Sequence, residues 1–362
     1  MVIFIKSLIY SLTLLLFVPL ASKGQQLINR TTEVQGEERK YLVYLPRGFS
    51  NVESLPVVFC FHGGDGYAES MMRFTADFRP LADQHKFIAV YPQGLVFGGK
   101  GGSATNWNYK GPYDNGIDEI AFVKAMIESV TSDYSGDHRR VFACGFSQGG
   151  NLMWDYASLL GDRFAAVASV AASMWQWTYD DFTPIEKIGV LTIHGTNDFY
   201  NPYTGNQYSI SMDRLNRYWV EINGSEETAS SSQYARGVTQ YVWQGTEDCH
   251  SVEHFRVQGG LHEWPSFSER VIWEFFSKYD IDGLLDCREP ISIKIDSYDL
   301  SSKELVVNIE NLSSGNFEIR KSTGGEFYSF DPVIDVNENT QFPLRIGNVT
   351  EQALMIQLWK KP

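Results

Sequence analysis

Ser147, Asp198 and His262 are of the residue types that together run acyl transfer, and each follows a run that reads as a buried strand. Ser147 is the centre of Gly145-Phe146-Ser147-Gln148-Gly149, after the apolar Val141-Phe142-Ala143-Cys144 and before Asn151-Leu152-Met153-Trp154, which opens a helical pattern. A G-x-S-x-G sequence between a strand and a helix is a nucleophile elbow, a turn so sharp that the residues flanking the serine must be small. It leaves the hydroxyl exposed at the carboxyl edge of a sheet, over a helix N-terminus that favours developing negative charge. A serine hydroxyl is a weak nucleophile at neutral pH and needs a base, and the base needs a group that fixes its tautomer. Val190-Leu191-Thr192-Ile193-His194-Gly195-Thr196-Asn197-Asp198 places Asp198 just past a strand, as that group. His254-Phe255-Arg256-Val257-Gln258-Gly259-Gly260-Leu261-His262 places His262 on a loop beyond another, as the base. The order Ser, Asp, His is the one that accompanies an elbow.

The oxyanion of such a reaction needs donors. Leu55-Pro56-Val57-Val58-Phe59-Cys60-Phe61 reads as a buried strand and runs into His62-Gly63-Gly64-Asp65-Gly66. In the α/β-hydrolase arrangement one donor follows the nucleophile and the other lies in the loop after the third strand, here the Gln148 and Gly64 N–H groups. A glycine at 64 is expected to let the backbone approach the substrate oxygen. His62 is expected to hydrogen-bond within its own loop.

The chain resembles the secreted polyhydroxybutyrate depolymerase/feruloyl esterase group of α/β-hydrolases, close to carbohydrate esterase family one. The resemblance rests on Tyr41-Leu42-Val43-Tyr44-Leu45-Pro46, Phe61-His62-Gly63-Gly64, Tyr91-Pro92-Gln93-Gly94, Trp107-Asn108, Cys144-Gly145-Phe146-Ser147-Gln148-Gly149-Gly150, His194-Gly195-Thr196-Asn197-Asp198 and His262-Glu263-Trp264-Pro265, spread over about residues 39–280. It implies Ser147, Asp198 and His262 as the triad of a serine carboxylic-ester hydrolase acting on plant polysaccharide esters, feruloyl or acetyl, through an acyl-enzyme and without a cofactor. It also places Trp107 and Trp264 beside the triad, as rings on which a sugar or aromatic acyl group stacks. An extracellular polyhydroxyalkanoate depolymerase uses the same triad and is the alternative. A non-catalytic binding protein on this scaffold would have lost a triad or oxyanion element, and this chain keeps them all. Two departures stand out: Leu261 where the group usually has glycine, and Ser225 where it often has a cysteine paired with one near Cys249. Cys249 is therefore either free or paired elsewhere, for example with Cys287, and Cys60 and Cys144 read as reduced core residues.

The remaining sequence must position these residues. Strand patterns at 41–45, 56–61, 87–91, 141–145, 166–171, 190–194 and 254–257 alternate with helical ones at 67–84, 117–132, 149–160, 209–222 and 268–278. Such alternation predicts an α/β fold, a mostly parallel sheet covered by helices on both faces, with ligands beyond the carboxyl ends of its strands. The catalytic domain is expected over 25–289. After Ile291 the pattern becomes short alternating segments, 291–295, 304–309, 316–320, 341–346 and 354–358, which predict a small all-β, sandwich-like appendage over 290–362. Its aromatics (Tyr298, Phe317, Phe327, Tyr328, Phe330, Trp359) are expected to fill its core rather than form a polymer-binding face.

Residues 1–24, with one early Lys6, an apolar run from Leu8 to Leu20 and the small residues before Gln25, read as a signal peptide, so a secreted protein is expected. Its removal takes away two lysines and no acid, moving the formal charge from −14 to −16. So acidic a surface argues against nucleic acid or anionic membrane as a partner and is neutral toward a small or polymeric ester. Trp175, Trp177 and Tyr203 are further aromatics after strand ends, and Asp118 is expected as an acid in the first turn of its helix. Cys249, His250 and His254 lie close together, but no H-E-x-x-H sequence or second cysteine pair accompanies them, and no metal is expected.

Overall fold

The computed structural model describes residues 26–97, 105–109, 114–246 and 249–287, and the backbone of seven strands between 292 and 360. The expected leader at 1–24 and the side chains of the expected appendage lie outside the described residues. The chain divides into two compact units, Met1–Cys287 and Arg288–Pro362.

The first unit is built on a ten-stranded sheet: β1 (Gln26–Val34), β2 (Glu37–Leu45), β3 (Leu55–Phe61), β4 (Ile88–Pro92), β5 (Gly136–Phe146), β6 (Ala166–Val170), β7 (Gly189–Gly195), β8 (Ser230–Ala235), β9 (Val238–Trp243) and β10 (Val252–Val257). Their spatial order is β1-β2-β4-β3-β5-β6-β7-β10-β9-β8. The six central strands, β4 to β10 in that order, are all parallel. Antiparallel strands flank them on both sides.

The central strands are apolar on both faces because both faces are covered. Along β3 the side chains alternate: Val57, Phe59 and Phe61 enter one core cluster, Val58 and Cys60 the other. The first cluster is closed by α2 (Glu119–Asp133), α3 (Gln148–Leu159) and α4 (Met212–Asn223); the second by α1 (Arg79–His85) and α5 (Ser268–Phe276). The expected α/β-hydrolase architecture, a mostly parallel sheet between helical layers, is the observed one.

Two expectations need correction, and two elements were not expected at all. The helical pattern at 67–84 is not one helix: a short turn at Ala68–Ser70 and a π-helical turn at Met71–Thr75 precede α1, with Ala76 out of helical geometry. Pro80, at the start of α1, has no N–H to continue an earlier helix. α4 begins at Met212 rather than 209, because the Ser211 hydroxyl caps it by accepting the Arg214 N–H at 3.2 Å. Finally, β1 and the β8–β9 hairpin are strands of polar residues such as Asn29-Arg30-Thr31-Thr32 and Ser230-Ser231-Ser232, whose pairing supplies a signal that their composition does not. Asp118, expected in the first turn of α2, stands one position before it as the N-cap, accepting the Ala121 N–H at 3.0 Å, and Glu119 is the first-turn acid.

Cys249 and Cys287 form a disulfide, which settles the alternatives left open for Cys249, while Cys60 and Cys144 are buried free thiols. In the second unit, Ser292–Asp299, Glu304–Glu310 and Leu344–Ile346 form one antiparallel sheet. Gly315–Thr323 pairs antiparallel with Glu326–Ser329, Ile334–Val336 and Met355–Lys360 to form another. Among the described residues no helix is long and apolar enough to cross a membrane.

Candidate active site

Ser147 lies between β5 and α3 with φ 51° and ψ −117°, a backbone conformation that L-residues avoid. Its N–H donates to the Val170 carbonyl on β6 at 2.9 Å, which holds the turn against the neighbouring strand. A Cβ on Gly149 would come within 2.5 Å of the Phe61 carbonyl oxygen, so only glycine lets α3 start this close to β3. The serine side chain is left partly exposed at the carboxyl edge of the sheet.

The loops after β7 and β10 bring the other two residues to it. They are stitched together by the Thr196 N–H on the Val257 carbonyl and the Asn197 N–H on the Gly260 carbonyl, both at 2.9 Å. Asp198 is buried, and its two oxygens are divided. Oδ1 accepts the N–H groups of Tyr200 and Asn201, each at 2.9 Å, and Oδ2 takes His262 Nδ1 at 2.8 Å. A carboxylate so placed accepts the Nδ1 proton, which leaves Nε2 as the acceptor. Nε2 stands 2.8 Å from Ser147 Oγ. Burial pushes the Asp198 carboxyl upward, but the bonds from His262 and Asn201 and the nearby His194 hold it below its ordinary value. His194 Nε2 donates to the Asn201 carbonyl at 2.7 Å and stands 3.5 Å from Asp198 Oδ2. Burial lowers its own pKa.

The loop after β3 forms the opposite wall. A Cβ on Gly63 would lie 3.3 Å from Ser147 Cβ, and one on Gly64 would lie 3.4 Å from Gln148 Oε1. The second is ordinary contact, so packing within the protein does not demand glycine at 64. Among the described residues no acceptor takes the Gly64 or Gln148 N–H. His62 Nε2 accepts the Gly94 N–H at 3.0 Å, which makes Nδ1 the donor to the Gly63 carbonyl at 2.7 Å. Burial pushes the His62 pKa down to about 4, so it stays neutral and braces the loop.

Trp107 falls differently from expectation. Trp107 is 1% exposed; its ring packs on Phe61 and His62 and its indole N–H donates to the His62 carbonyl at 2.8 Å. A ring with no exposed face has none to offer a ligand, so its expected stacking role is withdrawn. Trp264 is half-buried against the second core cluster, edge-on to Phe146. It is Phe146, with its centroid 5.2 Å from the imidazole, that neighbours His262. Trp175 and Trp177 stack on each other, and Trp175 meets the edge of Tyr109, whose hydroxyl donates to the Gln148 carbonyl. Tyr203 bonds His254 Nε2, and Thr192 Oγ1 bonds His254 Nδ1, so this histidine is committed inside the fold.

The family described as "Putative esterase" matches residues 32–275. The chain belongs to that family. This esterase-family chain is 24% identical over 259 residues to a bifunctional acetylxylan esterase/xylanase of Neocallimastix patriciarum, covering 71% of this chain and 36% of that protein. It is 23% identical over 254 residues to feruloyl esterase B of Piromyces equi, covering 67% of this chain and 46% of that protein. It thus spans less than half the length of these two relatives. An acetyl xylan esterase from Aspergillus awamori shares the fold, with TM-score 0.53 and 16% identity over 70% of this chain and 99% of that one.

Sequence reasoning missed Tyr200, Asn201 and His194. The first two follow Asp198 directly, and an aspartate whose side chain accepts N–H groups two and three residues on is a recognisable turn signal. His194 lies within a strand pattern, and nothing in the pattern marks its proximity to the carboxylate.

Proposed function

We propose that the chain is a secreted serine carboxylic-ester hydrolase acting on feruloyl or acetyl esters of plant polysaccharide. The reading rests on the continuous hydrogen-bonded line Asp198–His262–Ser147. Ser147 Oγ attacks the ester carbonyl carbon as His262 Nε2 takes its proton, and Asp198 stabilises the imidazolium. The oxyanion is received by the Gly64 and Gln148 N–H groups. Collapse passes the His262 proton to the departing alcohol and leaves an acyl-serine. Water, deprotonated by His262, then attacks that acyl carbon, and the released Ser147 oxygen recovers the proton. The relatives support the polysaccharide-ester class: one is named for acetylxylan esters and one for feruloyl esters. The test is a screen of methyl ferulate, acetylated xylan and a polyhydroxybutyrate film with the purified chain and with Ser147→Ala. Turnover of either of the first two by the unsubstituted chain alone is expected. Turnover of the film alone would move the reading to a polyhydroxyalkanoate depolymerase, and equal activity of both proteins would remove Ser147 from the chemistry.

A further inference from the structure

Tyr200 is 80% exposed and Phe199 is 82% exposed, directly after the buried Asp198. Leu261, directly before His262, is 52% exposed. Large apolar side chains standing free contribute nothing to the core, yet this loop is not loosely held. The Tyr200 and Asn201 N–H groups both end on Asp198 Oδ1, and Asn201 Nδ2 donates to the Ala171 carbonyl at 3.1 Å. On this loop the Tyr200 ring centroid lies 5.0 Å from the His262 imidazole, inclined at 47°. Phe146, the other ring beside His262, is explained by core packing, whereas Tyr200 is not.

The side of the site on which Tyr200 stands identifies what it meets. The oxyanion donors lie with Gly64 and Gln148, on the far side of Ser147 from the loops that carry Asp198 and His262. His262 Nε2 must hand its proton to the leaving oxygen, so the alcohol half of an ester lies against the imidazole. Tyr200 is carried by the Asp198 loop, across β5 from the loop that carries Gly64, so its ring is placed to meet the alcohol rather than the acyl group.

We infer that Tyr200 forms the alcohol-side subsite of the ester-hydrolase site proposed above, and that it takes a sugar ring by stacking on its flat apolar face. The inference rests on that reading. Tyr200 is thus a specificity residue, and its contribution appears only when the alcohol carries a ring.

The test uses the full chain, Tyr200→Ala and Tyr200→Phe. Each is assayed on two esters of one acid, ferulate or acetate, whichever the screen above shows to be turned over: the methyl ester and the ester of a pentose. An aromatic contact of this kind changes affinity by up to about tenfold. Tyr200→Ala is expected to lower kcat/KM on the pentose ester about tenfold, through KM, to change the methyl ester less than about twofold, and to be rescued by Tyr200→Phe. Equal losses on both esters, falling on kcat, would overturn the subsite and make Tyr200 a support for the His262 ring. No loss on either would overturn it too, as would an unsubstituted chain that turns over the methyl ester but not the pentose ester. A folded chain inert on both esters would instead sink the esterase reading and take this inference with it.

Discussion

Gly145 and Gly149 face each other across the elbow so closely that a Cβ on Gly145 would stand 2.2 Å from the Gly149 carbonyl oxygen. The obstacle is backbone, and nothing flexible can yield. Gly145→Ala is therefore expected to destabilise the first unit by about 4 kcal/mol or more, at the upper end of single substitutions. Chemical denaturation of the purified protein measures this, and a change under about 1 kcal/mol would mean that the elbow relaxes.

Ser147→Ala tests the chemistry without disturbing that turn. A melting temperature close to that of the unsubstituted chain is expected, with turnover of a short-chain aryl ester reduced on the order of 10⁴-fold. His262→Ala should match it. Asp198→Asn should keep the loop, since the asparagine carbonyl can still accept the Tyr200 and Asn201 N–H groups, but its NH2 then faces His262 Nδ1 and forces the wrong tautomer, so a loss on the order of 10⁴-fold is expected there too. Steady-state rates and melting curves on the same three preparations decide this.

Buried neutral histidines set a pH dependence of stability. His62 is pushed down to about 4 and His254 to about 3, both chiefly by burial, from an ordinary 6.5. Their folded pKa values lie below the unfolded one, so acid favours the unfolded chain. Their contribution is complete above about 6.5 and is lost as the pH falls toward 4 and then 3. For His62 the full swing is on the order of 3 kcal/mol. Denaturation midpoints between pH 7 and 4 should fall steadily, and His62→Gln should flatten that slope; an unchanged slope would exclude His62 as a source.

Trp264 should behave as a support. It packs on Phe146, which in turn neighbours His262, so Trp264→Ala is expected to lower kcat by similar factors on methyl ferulate and on a small acetyl ester, together with a lower melting temperature. A KM effect confined to the ferulate ester would instead return the indole to the ligand.

How far the sequence could be read followed from where its signals come from. Ser147, Asp198 and His262 were legible because each sits at a strand end, where an apolar run stops and the chain order is diagnostic. The central strands were legible for the same reason: burial on both faces makes them continuously apolar. β1 and the β8–β9 hairpin carry no such signal, since their polar residues are held by pairing across short connections. Trp107 failed as a ligand residue because proximity to a site along the chain does not say which face of a ring is covered. The whole-chain contacts that bury it are visible only in the fold.

Ending the chain at Glu289 should leave turnover of a soluble ester unchanged, because every residue of the proposed line from Asp198 to Ser147 belongs to the first unit. Rates per folded molecule, with folding checked by circular dichroism, test this. A folded but inactive shortened chain would mean that the second unit contributes to the site.

The disulfide gives the exit from the first unit a mechanical meaning. Cys287 is the last residue before the second unit begins at Arg288, and it is bonded to Cys249, near the start of β10. The hairpin formed by Tyr279–Asp280 and Gly283–Leu284 lies within the closed loop, with the Leu284 N–H on the Cys249 carbonyl at 2.7 Å. Tension or fraying that starts anywhere beyond Arg288 thus arrives at a covalent knot. It is passed to the sheet through Cys249 and cannot peel the hairpin and α5 away residue by residue. The second unit can be pulled or clipped while the loop carrying His262, which lies between the two cysteines, keeps its place.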